Sequence, residues 1–579
     1  MTFLELVHAF EELESIASRN EMVKKLAHLF GLLKPDEARC VSYILLGELH
    51  PPFIGTQFGI AQKMMIAACS QFLSLHENEL KKEMQTIGDI GQVMSQYSWS
   101  ASGNGLSIRD VYDRLLELEK ISGIGSQSEK IDALIRLFSQ VTPQEAKYIA
   151  RIIVAKLRLG FSDMTILDAL SWHLSGSKKL RADLEAAYNV CTDLGMIVFV
   201  GLEEGIDGVN NIQIKVGVPI RPAAAERLNT AAEIIEKIGP CVAQPKLDGF
   251  RLQVHFDRKS GTIHFFSRHL TDMSAMFPDL AESIMHLDAQ EFIVEGEAIG
   301  FNPETGGFLH FQETVKRRRK HGIAEAQSEY PLKLFLFDVL FKDGISYLTD
   351  PHEKRRSVLE SLTKNLSDQS NILCIEERQV HSAKELESYF LQMIEEGLEG
   401  LVVKRPDAVY QAGKRNFNWI KLKRSHKGSE LSDTIDVVII GYYHGHGKRA
   451  RFGIGALLAA VYNHKKDVFE TIAKIGTGFS DEQFIETKQK LDAKKVDKQS
   501  NSVVCAKELF PDVWVYPDIV CEVYADEITR SPIHSAGKTA TEYGYALRFP
   551  RFIKYRDDKG PAEATTVEEI VTMHKKLQG

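Results

Sequence analysis

Gln244-Pro-Lys-Leu-Asp-Gly-Phe-Arg251 is the stretch from which this chain can be read. It stands between a turn signal, Gly239-Pro240, and the alternating run Leu252-Gln-Val-His-Phe256. The sequence therefore predicts a strand-to-strand transition carrying a lysine, an aspartate, a glycine and an arginine. Such a grouping suits a lysine that works as a free amine. An ordinary lysine, with a pKa of about 10.4, is almost wholly protonated at neutral pH. Neighbouring cations or loss of solvent must act on a lysine before it becomes a nucleophile. Lys246 is the candidate nucleophile, and Asp248 and Gly249 are read as shaping the turn that presents it.

Outward from this point the pattern is α/β. Strand-like runs cover 252–256, 262–267, 292–299, 332–340 and 398–404, with helical patterns at 351–362 and 383–396. Polar residues sit at the ends of these apolar strands. Glu295 and Glu297 are spaced by two, so they share a face. Asp338 interrupts Leu-Phe-Leu-Phe-Asp-Val-Leu340, Glu399 precedes Gly-Leu-Val-Val-Lys404, and Lys421 alternates with Lys423. Carboxylates so placed suit Mg²⁺, a hard cation that binds oxygen and substrate phosphates. Lysines on neighbouring strands suit phosphate. Singly, each is as well read as a solvated strand-end charge; together, in one region, they point to phosphate chemistry.

Residues 1–210 read as an all-α domain with an internal duplication. Lys34-Pro-Asp-Glu-Ala-Arg39 and the following Val41–Leu49 mirror Thr142-Pro-Gln-Glu-Ala-Lys147 and Ile149–Leu157 at a constant offset of 108. A proline in the first turn followed by glutamate marks a helix start. Each copy leads through a loop into another helix start, where backbone N–H groups can take phosphate. Lys147, Arg151, Lys156 and Arg158 are candidate cationic contacts to phosphate there, with plain helix packing the equal alternative. Residues 211–430 form the α/β domain. Residues 431–579 read as short strands with Gly-rich turns, a small barrel of the OB-fold kind.

Composition narrows the classes. Of 579 residues, 44% are hydrophobic and 26% charged, which is globular. No apolar run reaches the ~18–20 residues of a membrane span, and the acidic start Met1-Thr-Phe-Leu-Glu-Leu is no secretory signal. Seven scattered cysteines without a Cys-x-x-Cys pair predict reduced thiols, no zinc site and a cytoplasmic protein. A net charge of −8 leaves local basic runs, Lys316–Lys320, Lys421–Arg424 and Lys448–Arg451, for nucleic acid.

The ordered set of motifs resembles the ATP-dependent DNA ligases, especially the archaeal type and the catalytic region of the eukaryotic replicative ligase. The pieces are Lys246-Leu-Asp-Gly-Phe-Arg251, Ser267-Arg268, Glu295-Gly-Glu297, Leu336-Phe-Asp338, Glu399-Gly-Leu-Val-Val-Lys404, Trp419-Ile-Lys-Leu-Lys423 and Arg548-Phe-Pro-Arg-Phe-Ile-Lys-Tyr-Arg-Asp-Asp-Lys559. The resemblance extends to the helical front through Glu145-Ala-Lys-Tyr148 and Lys156-Leu-Arg-Leu-Gly160. It implies an ATP-grasp-like nucleotidyltransferase domain that carries AMP on Lys246, passes it to the 5′-phosphate of nicked double-stranded DNA and seals the strand. It also implies roles in DNA replication, repair and recombination. By similarity Arg251 and Arg268 contact nucleotide or 5′-phosphate. Glu297 holds ribose or metal, Glu399 holds Mg²⁺, and Phe337 stacks on adenine. Arg415, Lys421 and Lys423 hold phosphates, and Arg556 and Lys559, with Asp558, orient pyrophosphate from a barrel that swings. The resemblance implies a monomer and admits a sliding clamp as partner. Two positions depart from the family: Gln244 stands where glutamate is usual, and a minor-groove phenylalanine pair is matched at Phe311 but meets Ala456 at its second position, with Phe452 nearby. NAD-dependent ligases, capping enzymes, RNA ligases and a non-catalytic DNA clamp are the competing readings.

Overall fold

The computed structural model describes the chain except residues 103–104, 155–156, 158, 302–307, 310–313, 318, 320–321, 368–369, 397, 424–433, 446–450, 526 and 579. Lys156, Arg158 and Phe311 therefore lie outside the described residues. Among those described, no helix is long and apolar enough to cross a membrane. The chain divides into two compact units, Met1–Lys423 and Arg424–Gly579.

The front of the first unit is a run of helices from Phe3–Ser15 to Leu194–Asn210. It is built as two interlocked sets. One opens with a capping box, Thr2 with Glu5, and the other with Ser107 and Asp110. The two openings pair with each other: Phe3 N donates to Leu106 O at 2.8 Å and Ile108 N to Met1 O at 3.2 Å. Packing is reciprocal as well. Pro35–Ile44 lies against Ile108–Lys120 and Leu194–Asn210, while its counterpart Pro143–Ile153 lies against Phe3–Ser15 and Ile90–Met94. One continuous apolar core results, shared by both copies.

A polar seam follows the same symmetry. Asp89 caps Ile90–Met94 and accepts from Arg151 at 2.7 and 2.9 Å. Asp193 caps Leu194–Asn210 and accepts from the Tyr43 hydroxyl. Tyr43 and Arg151 are themselves 108 residues apart. The seam bears on two of the expected DNA contacts, for which helix packing is the equal alternative. Lys147 and Arg151 are only 8% and 3% exposed, and both bind Glu14 at 3.1 Å. Their charges are spent inside the helical unit, because buried cations persist only when paired. Both residues thereby tie the two copies together.

Two sheets follow. The first has strand order Ala224–Leu228, Arg415–Lys423, Gly400–Lys404, Cys241–Lys246, Arg378–Val380. The second runs Thr262–Ser267, Phe250–Asp257, Glu291–Gly300, Leu332–Lys342, Ile345–Ser346, with Ile372–Cys374 parallel to Leu332–Lys342. Side chains alternate between faces. On the first sheet Ala243, Leu401, Val403, Ile420 and Leu422 join the apolar core with helices Ala231–Ile238 and Ala383–Glu395. On the second, Leu252, Val254, Phe256, Leu334 and Leu336 do so with Pro278–Ile284 and His352–Thr363. The two remaining faces carry the polar residues set among smaller apolar clusters, and they meet: Lys404 Nζ donates to Phe337 O at 3.0 Å, and Phe337 lies edge-on to Trp419 at 6.1 Å.

The second unit is β-rich. Its seven-stranded sheet has the order Lys495–Val496, Val513–Tyr524, Ile435–Tyr443, Ala456–Asn463, Val468–Ile475, Val503–Val504, with Arg551–Tyr555 also on Val513–Tyr524. A hairpin of Glu527–Ser531 and Gly544–Arg548 and helices Asp481–Asp492 and Val567–Gln578 complete it. Apolar clusters cover both faces of the sheet.

Candidate active site

Register fixes the site row by row. On the crevice side of the first sheet, Lys246, Gly400 and Lys423 form one row and Gln244, Val402 and Lys421 the next. Val242, Lys404 and Trp419 form the third. Gly400 has φ +139°, and a Cβ there would lie 2.2 Å from Leu422 O, so only glycine fits. This tight crossing brings Glu399 between two lysines. It pairs with Lys246 Nζ, and with Lys423 Nζ at 2.9 Å. Burial favours the neutral acid, but Lys246 and Lys423 outweigh it and hold the Glu399 carboxyl at about 2.

The facing sheet supplies the row Arg251, Glu297, Phe335. Gly249 N donates to Glu297 Oε1 at 3.2 Å. A Cβ on Gly249 would lie 2.3 Å from Ala298 O, which explains the glycine after Asp248. Burial pushes Glu297 up to about 7, against the pull of Lys246 and Arg251. Arg251 is held firmly. It donates to both Glu295 oxygens at 2.9 and 3.1 Å and to Ala223 O at 2.6 Å, and it lies over Phe337 and Trp419 at 5.5 and 5.4 Å. The Tyr410 hydroxyl donates to Glu295 at 2.9 Å. Glu295 is therefore a support for Arg251 rather than a second open carboxylate.

Deeper in, the crevice closes on neutralised charge. Asp338 takes Arg355 at 2.8 and 3.1 Å and has Lys404 at 3.8 Å. Burial brings Lys404 down to about 8 despite Asp338. Gln244 is buried, and its Nε2 donates to Glu377 Oε2 at 2.6 Å. His352 Nε2 meets the same oxygen at 2.8 Å.

The mouth is cationic. Lys421 is pushed below the ordinary lysine range by burial, then by Arg415, Lys423, Arg268 and Lys246 around it. Arg268 and Arg415 are exposed, one just past the strand Thr262–Ser267 and the other opening Arg415–Lys423. Five cations thus converge where a polyphosphate would enter. Among the described residues no group of three metal-binding side chains occurs. Glu297 and Glu399 alone suit Mg²⁺ that arrives on phosphates, since that ion is commonly held by one or two carboxylates and its substrate.

In the second unit, Arg556 and Lys559 come together on a residue that sequence reasoning missed. Asp436 accepts from Arg556 at 3.1 Å and from Lys559 at 2.6 Å, and Arg556 also holds Asp558 at 2.8 and 2.9 Å. An aspartate inside Ile435-Asp-Val-Val-Ile-Ile440 was the available signal. Phe549 was also missed. It is 59% exposed, at φ +52°, and stands between Arg548 and Arg551. A bulky residue in the left-handed region is uncommon and marks a site worth testing. Ala456 is buried, and Phe452 stacks on Phe484 at 5.5 Å. Glu377 and His352 carried no signal beyond their polarity, because the fold alone brings them to Gln244.

Comparison with known proteins bears on all three regions. Family models described as DNA ligase N terminus, ATP dependent DNA ligase domain and ATP dependent DNA ligase C terminal region match residues 2–171, 222–423 and 450–559. A protein named probable DNA ligase from Dictyoglomus thermophilum is 44% identical over 99% of this chain and 98% of its own length. DNA ligase 2 of Korarchaeum cryptofilum is 39% identical over 100% of this chain and 97% of its own. DNA ligase of Saccharolobus islandicus is 39% identical over 100% and 98%. A solved structure titled Pmar-Lig_PreS3 superposes with a TM-score of 0.56 at 17% identity, covering 95% of this chain and 99% of that one, a likeness of fold.

Proposed function

We propose a residue-level mechanism for this chain, which belongs to the ATP-dependent DNA ligase family and joins DNA strands using ATP. The observation that carries it is Lys246 at the centre of a cationic mouth, across from Glu297 and beside Glu399. ATP enters with its phosphates toward Lys421, Lys423, Arg268 and Arg415 and its base toward Gln244 and Phe337. Lys246 leaves Glu399, gives one ammonium proton to water and attacks the α-phosphorus with its free amine, a second proton passing to water as the phosphoramidate forms. The Nζ–P bond forms, and the bond to pyrophosphate breaks with its electron pair on the leaving oxygen. An oxygen of the nick's 5′-phosphate then displaces Lys246 from that phosphorus. Finally the 3′-hydroxyl oxygen attacks the 5′-phosphorus, AMP leaves, and the hydroxyl proton passes to water. Charge neutralisation and positioning supply most of the rate in such transfers. Mg²⁺ on the phosphates, met by Glu297 and Glu399, would add positive charge there.

Arg556 and Lys559 are read as pyrophosphate-orienting cations used in the first step, with Asp436 holding them in one array. Phe549, rather than Ala456, is the aromatic we assign to the minor groove beside the nick, with Phe311 as its counterpart. Lys156 and Arg158 stay as proposed phosphate contacts of the front domain. We read 1–210, 211–430 and 431–579 as DNA-binding, adenylation and OB-fold domains of an intracellular monomer, and keep a sliding clamp as a partner to be tested. Lys246→Ala tests the core of this scheme. It is expected to take up no label from α-labelled ATP and to lose sealing of an ordinary nick, yet still seal a pre-adenylated one. Persisting label would refute the assigned nucleophile.

A further inference from the structure

Gln244 is tied down in a way its role does not require. A glutamine amide can turn either its oxygen or its nitrogen toward a ligand. Here the choice is made by chemistry. Glu377 is an acceptor when ionised, so the group at 2.6 Å from its Oε2 must be the Gln244 NH₂. Burial would favour the neutral Glu377 acid, but His352 and Lys404 outweigh it and keep the carboxylate charged. His352 is itself almost fully buried and reaches the same oxygen at 2.8 Å. Among the described residues, no donor meets Gln244 Oε1, so an acceptor is left on offer.

The place matters as much as the orientation. Gln244 lies one row inward from Lys246 on the same face of the sheet, and Lys421 lies two strands across in its own row. Two strand spacings are about 10 Å, the reach of a nucleoside between base and phosphate. With phosphates at the cationic mouth, the base edge falls at Gln244.

We infer that Glu377, seated by His352, is a specificity-determining positioning residue. It fixes the Gln244 amide with its carbonyl oxygen toward the base, so that the pocket takes a purine with an amine at position 6 and rejects one with a carbonyl there. This rests on the reading that the crevice binds nucleotide at Lys246. A carbonyl facing a carbonyl leaves two acceptors unpaired, which costs at least ~10-fold in preference.

The test compares α-labelled ATP with α-labelled ITP, which differ at position 6, in labelling rate and in equilibrium binding. The wild-type protein is expected to prefer ATP by ~10-fold or more. Glu377→Gln, whose amide can donate as well as accept, frees Gln244 to turn and brings the ratio toward one. Glu377→Asp, which keeps the carboxylate, retains the preference at least in part. Gln244→Leu removes the acceptor and collapses the ratio without touching Glu377. A ratio unchanged in Glu377→Gln and Gln244→Leu, or both nucleotides weakened equally with the ratio intact, overturns the inference. Absence of label on the wild-type protein would instead fault the lysyl-nucleotide reading, and the binding ratio would still decide this one.

Discussion

Glu297→Gln is the perturbation whose size follows most directly from the site. Burial between the two sheets raises the Glu297 carboxyl from 4.5 to about 7, even though Lys246 and Arg251 pull the other way. Below the unfolded value the group is protonated in both states and contributes no difference. As pH rises past 4.5 the unfolded chain ionises while the folded protein keeps its proton, and stability falls until the folded group ionises near 7. The full difference is about 3 kcal/mol, an upper limit because the carboxyl is only half-buried and water screens it. Glutamine mimics the protonated form and carries no such penalty. The variant is therefore expected to match wild type in stability near pH 4.5 and to exceed it by up to ~3 kcal/mol at pH 8. Hydrogen exchange of the amides in Phe250–Asp257 and Glu291–Gly300 reads this locally. An infrared difference titration of wild type against variant should place the carboxyl midpoint near 7. A midpoint in the ordinary range, or a stability difference that does not grow with pH, would refute the reasoning.

Other outcomes follow from the same geometry. Arg151→Leu takes from buried Asp89 the guanidinium that holds it at 2.7 and 2.9 Å, while Glu14 keeps Lys147, and should destabilise the helical front by ~3–5 kcal/mol in denaturant unfolding; unchanged stability with weakened DNA binding would favour the phosphate-contact reading. Lys559→Ala should slow self-adenylation far more than sealing of a pre-adenylated nick; equal loss in both assays would contradict the assignment to the first step. Phe549→Ala should leave self-adenylation intact and slow nick sealing by roughly 10-fold, the scale of one lost aromatic–base contact.

Much of the candidate site was legible because its residues sit on strands. A strand-end lysine, glycine or carboxylate shows in the sequence as a break in an apolar run, and alternation then assigns its face. Lys246, Glu297, Glu399, Lys421 and Lys423 were all found that way, and register brings them together. The helical duplication was readable as a constant offset, but its meaning was not. Lys147 and Arg151 read as cations beside a helix start, and only the packing of one copy against the other shows Asp89 and Glu14 taking up their charge. Glu377 and His352 escaped for a similar reason. They lie more than a hundred residues from Gln244, on elements whose local pattern says nothing about the crevice. Asp436 was visible as a lone acid in an apolar strand, yet its partners come from the far end of the chain.

The claim that Lys246 carries the nucleotide is met most directly by peptide mapping of the protein after brief incubation with α-labelled ATP and Mg²⁺. The account predicts the nucleotide on Lys246 alone, released when pyrophosphate is added back. Label on Lys404, Lys421 or Lys423, or label that pyrophosphate does not remove, would contradict it.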